Sequence, residues 1–300
     1  MRGKFERAKL WLEALRPRQW IKSGFCLAAL FFSGLAGTLD GWRLIAPLLI
    51  GFSVLSSAGY LFNDIVNKEE DLRHPRKNRR PIASGRIKCS QALFVCIALM
   101  FIGLFVLSRN YGKHVDTIPV VQLGFVYLFV TFSYSIFFRK VPVADVLILG
   151  IGFVIRVATG AFALELTPTP WLLGCTYCIA LMLGFGKRMG ERTLLDLKHQ
   201  EIGETRSALN GYTEASLQFL TGLFCFLAFF LYAGYCFVHP VRELALISVF
   251  PVAVGLLAYL RLAWRSEAAE MPESLFLRTP VLFLAVMFWL FVVTVIGVSW

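Results

Sequence analysis

Hydrophobic positions in this chain fall in long unbroken runs separated by shorter polar stretches. A membrane-spanning helix needs about 20 apolar residues. On that scale nine runs qualify, roughly 19–37, 43–62, 90–108, 119–138, 143–165, 170–186, 215–237, 241–260 and 280–299. Ahead of them, Phe5, Ala8, Trp11, Leu12 and Leu15 share one helical face while Arg7, Lys9 and Glu13 lie away from it. That is the pattern of an amphipathic helix resting in the membrane interface, over residues 1–18. The expected fold is all-α, a polytopic membrane protein forming one domain over 1–300 as a bundle of about nine transmembrane helices. Two polar stretches, 67–90 and 187–214, are longer than most other connections, so chemistry is sought there first.

Basic residues give the bundle a direction. With the N-terminus in the cytoplasm, the inside segments collect Arg2, Lys4, Arg7, Lys9, Arg16, Arg18 and Lys22, then Lys68, Arg73, Arg76, Lys77, Arg79, Arg80, Arg86 and Lys88. Later inside segments add Arg139, Lys140, Lys187, Arg188, Arg192, Lys198, Arg206, Arg261, Arg265 and Arg278. The outside segments hold only Arg43, Arg109, Lys113 and Arg242, and Arg156 lies within the fifth span. This asymmetry predicts a cytoplasmic N-terminus in the inner membrane, and an odd number of spans puts the C-terminus outside.

Composition agrees. Hydrophobic residues make up 57% of the chain and charged ones 16%, where a soluble domain carries about 25%. The net charge of +11 is then mostly a topology signal, and nucleic-acid binding is not needed to explain it. No cleavable signal peptide is evident at the charged N-terminus. Most of the seven cysteines lie in apolar runs, where Cys packs as a small hydrophobe. Cys175 and Cys178 form a CxxC pair, but no second pair or nearby His completes a zinc site. The four histidines are scattered and no nucleophile elbow appears, which argues against a zinc enzyme or a hydrolase.

The densest polar signal begins while the second span is still apolar. It runs from Asn63-Asp64 through Asn67, Glu70 and Asp71 to His74-Pro75-Arg76-Lys77 and Arg80-Pro81. If the helix continues through Asp71, Asn63, Asn67 and Asp71 drift by about 40° per step, and Asp64 and Asp71 fall about 20° apart. Oxygen ligands then line one stripe at the cytoplasmic mouth. Asp64 and Asp71 lie about 10 Å apart along the axis, too far to chelate one ion directly. Such a stripe suits Mg²⁺ held jointly by carboxylates and a diphosphate. Lys77 and Arg80 would neutralise the remaining phosphate charge. A charged loop between spans is usually a solvated anchor, but Asn63 and Asp64 follow Gly-Tyr-Leu-Phe within the apolar run, and ionisable groups at that depth are usually functional.

Two smaller signals accompany it. Asp145 and Arg156 lie eleven residues apart, on one face of the fifth span within about 20°. Arg156 in an apolar helix needs a partner, either an intramembrane ion pair or a ligand. At the end of the sixth span, Gly186-Lys187-Arg188-x-x-Glu191 puts two donors and one acceptor within a turn. Opposite the carboxylate stripe it makes the second half of a phosphate site.

The Asn63-Asp64 stripe ending in Asp71, within nine predicted spans, resembles the UbiA superfamily of intramembrane prenyltransferases. Arg16-Pro17-Arg18-Gln19-Trp20-Ile21-Lys22, His74-Pro75-x-Lys77-x-x-Arg80-Pro81, Gly186-Lys187-Arg188-x-x-Glu191 and Arg206-x-x-Leu209-x-x-Tyr212-Thr213 are similar to its decaprenyl-phosphate phosphoribosyltransferase branch. The resemblance runs over nearly the whole chain. It implies transfer of phosphoribose from phosphoribosyl diphosphate to a polyprenyl phosphate, with Mg²⁺ on Asn63, Asp64, Asn67 and Asp71. It further implies that Asp64, Asp71, Asp145 and Glu191 are catalytic, and that Lys22, Lys77, Arg80, Arg156, Lys187 and Arg188 bind substrate. Two positions depart from the pattern: Asn67 stands where the family has a middle Asp, and Leu72 where an Arg usually follows the last one. The loss of one charge at Asn67 predicts weaker Mg²⁺ binding or a larger share for Glu70 and Asp71.

Two other classes compete. In the prenyl-transferring branch a second Asp-rich motif is expected where this chain has Lys187-Arg188-x-x-Glu191. A lipid carrier or transporter would also hold charges in the membrane, yet no inverted repeat or pair of interrupted helices is visible. A homo-oligomer built through lipid-facing surfaces would leave no readable motif.

Overall fold

The structure is a computed structural model that describes residues 2–74, 77–109, 118–197, 207–239, 241–265, 275 and 278–298. Helices account for its regular structure among these residues: α1 (Arg2–Leu15), α2 (Ala28–Phe32), α3 (Leu39–Val66), α4 (Lys68–Arg73), α5 (Cys89–Leu107), α6 (Ile118–Ile136), α7 (Ala144–Ala163), α8 (Pro170–Leu197), α9 (Glu214–Val238), α10 (Arg242–Ala263) and α11 (Pro280–Val298). Eight of them, α3 and α5 to α11, are long and apolar enough to cross a membrane. The remaining expected span, the first in the chain, is not one continuous helix. It runs as a 3-10 helix over Pro17–Leu27, the short α2, and a second 3-10 turn over Leu35–Gly37.

The interruption has one local cause and one distant one. Pro17 opens the first 3-10 helix after Arg16, which sits in the left-handed region at φ 54°. Gly34 at φ +73° turns the chain at the other end, where a Cβ would lie 2.1 Å from the carbonyl oxygen of Gly297. That contact also closes the bundle: α2 packs on α11, while α3, α6, α7, α8, α9, α10 and α11 form successive neighbours. Successive spans from α6 to α11 run antiparallel, while α3 and α6 run parallel with α5 packed on α3.

Small residues let the helices approach closely, as membrane packing requires. Gly51 and Gly103 make room for Leu107 and Leu55 between α3 and α5. Fully buried Leu30, Ile45, Phe52 and Leu55 make up one core, and Val146, Leu181, Phe185 and Leu217 another beneath the second half of the bundle. Truncating such a buried Phe to Ala costs about 3–5 kcal/mol. Phe94, Phe101, Phe129, Phe219 and Phe250 instead point outward and are at least two-thirds exposed. Lipid is the solvent that explains the many phenylalanines.

Two expectations change. α8 runs on through the start of the 187–214 stretch, so Lys187, Arg188 and Glu191 stand on a helix and not in a loop. Residues 198–206 of that stretch, including Arg206, lie outside the described residues, as do Pro75 and Arg76. On α1, the face toward the protein carries Leu10, Trp11, Ala14 and Leu15, packed against α3 and α5. Leu12, assigned to the apolar face, is 55% exposed.

Candidate active site

Since α3, α6 and α8 end where α5, α7 and α9 begin, their charged termini meet at one end of the bundle. The α3 ladder continues past its last residue. Asn67 N donates to Asn63 O at 3.1 Å and Asp71 N to Asn67 O at 2.9 Å, so α4 prolongs the helix across the turn. Asp64, Asn67 and Asp71 are all buried along it. Asn67 spends its Nδ2 on Asn63, donating to the carbonyl at 2.8 Å and to Oδ1 at 3.3 Å.

Each carboxylate of this stripe is held by arginine. Arg16 Nη2 donates to both oxygens of Asp64, at 2.5 and 2.8 Å. Arg80 Nη1 donates to Asp64 Oδ1 at 3.0 Å and to Asp71 Oδ2 at 2.5 Å, so one guanidinium bridges two carboxylates. Arg139, at the end of α6, joins Asp71 at 3.5 Å and Glu70 at 3.2 Å, and Lys140 pairs with Glu70 at 3.3 Å. Burial opposes the charge on Arg16, but Asp64 overrides it and raises the guanidinium pKa. Arg80 goes the other way: burial, then repulsion from Arg16, lowers its pKa.

The second half is built on α7 and α8. Arg188 Nε donates to Asp145 Oδ2 at 2.7 Å and Nη1 to Glu191 Oε2 at 2.9 Å, and all three side chains are buried. Lys77 Nζ reaches Glu191 Oε1 at 2.7 Å and ties the polar loop to α8. Tyr212 OH donates to Asp145 Oδ1 at 2.6 Å and accepts from Val143 N at 2.5 Å. Val143 has φ 67°, a conformation costly for a β-branched residue. The bond from Tyr212 holds this strained turn, and the turn aims Asp145 inward. His74 joins the halves, with Lys77, Glu191, Arg80 and Arg139 around it. Burial, then Lys77, lowers its pKa to about 3, so it is neutral at pH 7.

The fold thus brings Asp64, Asp71, Lys77, Arg80, Asp145, Arg188 and Glu191 together. Lys187 is half-buried one residue before Arg188. Lys22, in the first 3-10 segment, makes no ion pair among the described residues. Arg156 lies elsewhere, about 16 Å along α7 from Asp145. Its Nη1 donates to Gly152 O, and its Nη2 to Ser56 Oγ and Tyr127 OH, at 2.8 to 2.9 Å. The pairing with Asp145 does not form, because eleven residues of one helix hold the two side chains too far apart, and Arg188 pairs with that carboxylate instead. Three participants were not singled out as site residues in sequence. Arg139 read as a topology charge, although it precedes Asp145 across a tight Pro142 turn. Arg16 and Tyr212 stood out only as parts of motifs.

Among the described residues no three His, Cys, Asp or Glu side chains group to hold a metal alone. The donors do fit Mg²⁺ shared with a substrate. Asp64 and Asp71 are close enough for a single guanidinium to bridge them, and Mg²⁺ typically takes one or two carboxylates plus phosphate oxygens.

A family description, the UbiA prenyltransferase family, matches residues 23–292. This chain is a member of the UbiA family. Its curated relatives include the decaprenyl-phosphate phosphoribosyltransferase of Corynebacterium glutamicum, 32% identical over 215 residues that make up 70% of this chain and 61% of the relative. The chain therefore spans under two thirds of that relative's length. The enzyme of the same name from Mycobacterium tuberculosis is 28% identical over 93% of this chain and 91% of its own. Among solved structures, a UbiA homolog from Archaeoglobus fulgidus bound to GPP and Mg²⁺ superposes with a TM-score of 0.70, covering 97% of this chain and 100% of that one at 14% identity. This UbiA member is accordingly an integral membrane protein.

Proposed function

We propose that this UbiA member transfers the 5-phosphoribosyl group of phosphoribosyl diphosphate to a polyprenyl phosphate. An oxygen of the lipid phosphate attacks the ribose C1, the bond from C1 to the diphosphate oxygen breaks, and diphosphate leaves with the electron pair. One observation carries the choice of donor: the α8 end offers Lys77 and Arg188 braced on Asp145 and Glu191, where prenyl transfer calls for a second acidic motif. The names of the relatives that match most of the chain support the same reading.

The residues divide the work by charge. Asp64 and Asp71, with Asn63 and Asn67 beside them, would hold Mg²⁺. The metal, when bound, supplies positive charge against the departing diphosphate. Arg80, Lys77 and Arg188 bind phosphate oxygens, and Asp145 and Glu191 fix the orientation of Arg188. The acceptor phosphate is already ionised at neutral pH, so positioning matters more than a general base. That fits a neutral, enclosed His74. The same reading puts the site and the N-terminus on the cytoplasmic side of the inner membrane, with the C-terminus outside, which the distribution of Lys and Arg supports.

Prenyl transfer is the second reading, favoured by the solved relatives bound to GPP or DMAPP with Mg²⁺. Purified protein in detergent, given Mg²⁺, a polyprenyl phosphate and phosphoribosyl diphosphate labelled in the ribose, separates the two. Label moving into the organic phase is expected, and Asp64→Ala should reduce it at least about 100-fold, the scale of losing a charge-stabilising group. Label that stays in water, with transfer only from a prenyl diphosphate, would overturn the proposal.

A further inference from the structure

Among the described residues, the site's carboxylates are already more than matched by cations. Asp64, Glu70, Asp71, Asp145 and Glu191 face Arg16, Lys77, Arg80, Arg139, Lys140 and Arg188, and each carboxylate is in an ion pair with at least one of these cations. Asp64 accepts from arginine through both oxygens, and Asp71 through both of its own. A bare divalent cation arriving here meets a field with no negative excess and, on Asp64 and Asp71, carboxylate oxygens that each already accept from an arginine. It must displace a guanidinium that would then have no acceptor, and a buried cation stripped of its partner is costly.

A metal–diphosphate complex changes that balance. It brings its own negative charge and several acceptor oxygens, and a guanidinium binds phosphate with the same two-pronged geometry it uses on a carboxylate. Arg16 is the cation best placed to change partners. It is the only residue joining α1 to the stripe by an ion pair among the described residues, it is 22% exposed against 2% for Asp64, and it sits at the left-handed junction between α1 and the 3-10 helix. Its guanidinium also lies over the Tyr60 ring, 4.9 Å from the centroid, which supports the side chain when the carboxylate is lost. The chain on either side is fixed: Ser57 Oγ donates to Leu15 O at 2.9 Å, and Trp20 Nε1 donates to Ser57 Oγ at 2.9 Å. The anchor holds while the side chain moves.

We infer that Arg16 is an exchangeable counter-ion that keeps free divalent metal off Asp64 and yields it only to metal delivered with a diphosphate, whose oxygens Arg16 then binds. This rests on the diphosphate-donor reading above, in either its phosphoribosyl or its prenyl form. The site would thus load metal and donor together, so that Mg²⁺ alone does not occupy it.

Equilibrium dialysis of the full chain in detergent against radioactive Mn²⁺, with and without inorganic diphosphate, tests the idea without turnover. The wild-type protein should retain Mn²⁺ at least about tenfold more tightly when diphosphate is present. Arg16→Gln should bind Mn²⁺ alone about fivefold more tightly than wild type and lose most of the diphosphate dependence, because the competitor for Asp64 is gone. Arg16→Lys, which keeps the charge without the fork and spares the fold if the Gln variant misfolds, should fall between them. Equal binding of lone Mn²⁺ by wild type and both variants, or wild-type binding indifferent to diphosphate, overturns the inference. If dialysis behaves as expected but the label assay shows prenyl transfer, the phosphoribosyl reading falls and the exchange stands. Label transfer without a diphosphate effect gives the reverse.

Discussion

Arg188 and Arg156 are both buried, at 2% and 4% exposure, yet they keep different company. Arg188 lies between Asp145 and Glu191 at the charged end of the bundle. Arg156 lies well along α7 among two hydroxyls, a carbonyl and the rings of Phe52, Tyr127 and Phe153. No carboxylate pairs with it among the described residues. A cation held by carboxylates is one member of a charge set that a phosphorylated ligand can rearrange. A cation held by hydroxyls and ring faces pins three spans, α3, α6 and α7, and has no anion to exchange. Depth in the membrane thus marks a residue as important without saying whether its role is chemical or architectural; the partners decide that.

The sharpest way to break this comparison is to remove Arg188. Arg188→Met takes from Asp145 and Glu191 the guanidinium they share, and taking one partner from a buried pair costs about 3–5 kcal/mol. Thermal unfolding in detergent should show a drop of many degrees together with lost turnover. A variant as stable as wild type would mean the pair is already solvated.

Arg156→Met should do much less. The charge goes, and its desolvation cost with it, while Ser56 Oγ and Tyr127 OH still bond each other at 3.1 Å. The expected change is about 1–2 kcal/mol from the lost hydrogen bonds, with turnover close to wild type. A tenfold fall in turnover at unchanged stability would instead place Arg156 on a substrate.

The effect at His74 is confined to pH below neutral. Its folded imidazole titrates near about 3, against 6.5 when unfolded. The unfolded chain therefore takes up the proton first, and folding stability weakens as pH falls below about 6.5 and onward toward 3. His74→Gln should flatten that part of the stability profile in a denaturation series run between pH 5 and 8. An unchanged slope would show that other groups set it.

Much of this was legible in the residues. Runs of about 20 apolar positions marked the spans, because lipid imposes a length that a linear pattern displays. The stripe from Asn63 to Asp71 was legible for the same reason: helical spacing converts directly into a shared face. The broken first span was not, since its interruption depends on Gly34 meeting Gly297, residues separated by nearly the whole chain.

Order along the chain therefore determined the membrane class, the spans and the acidic stripe, all of which follow from local period and composition. Tertiary structure alone decided which cation faces which carboxylate. Asp145 and Arg156 share a helix face, and helical geometry keeps them a fixed distance apart. Arg188 wins Asp145 because α7 and α8 pack side by side, and Arg16 finds Asp64 because the 3-10 turn folds α1 back on α3. Charge pairing depends on distance through space, which a linear pattern does not record.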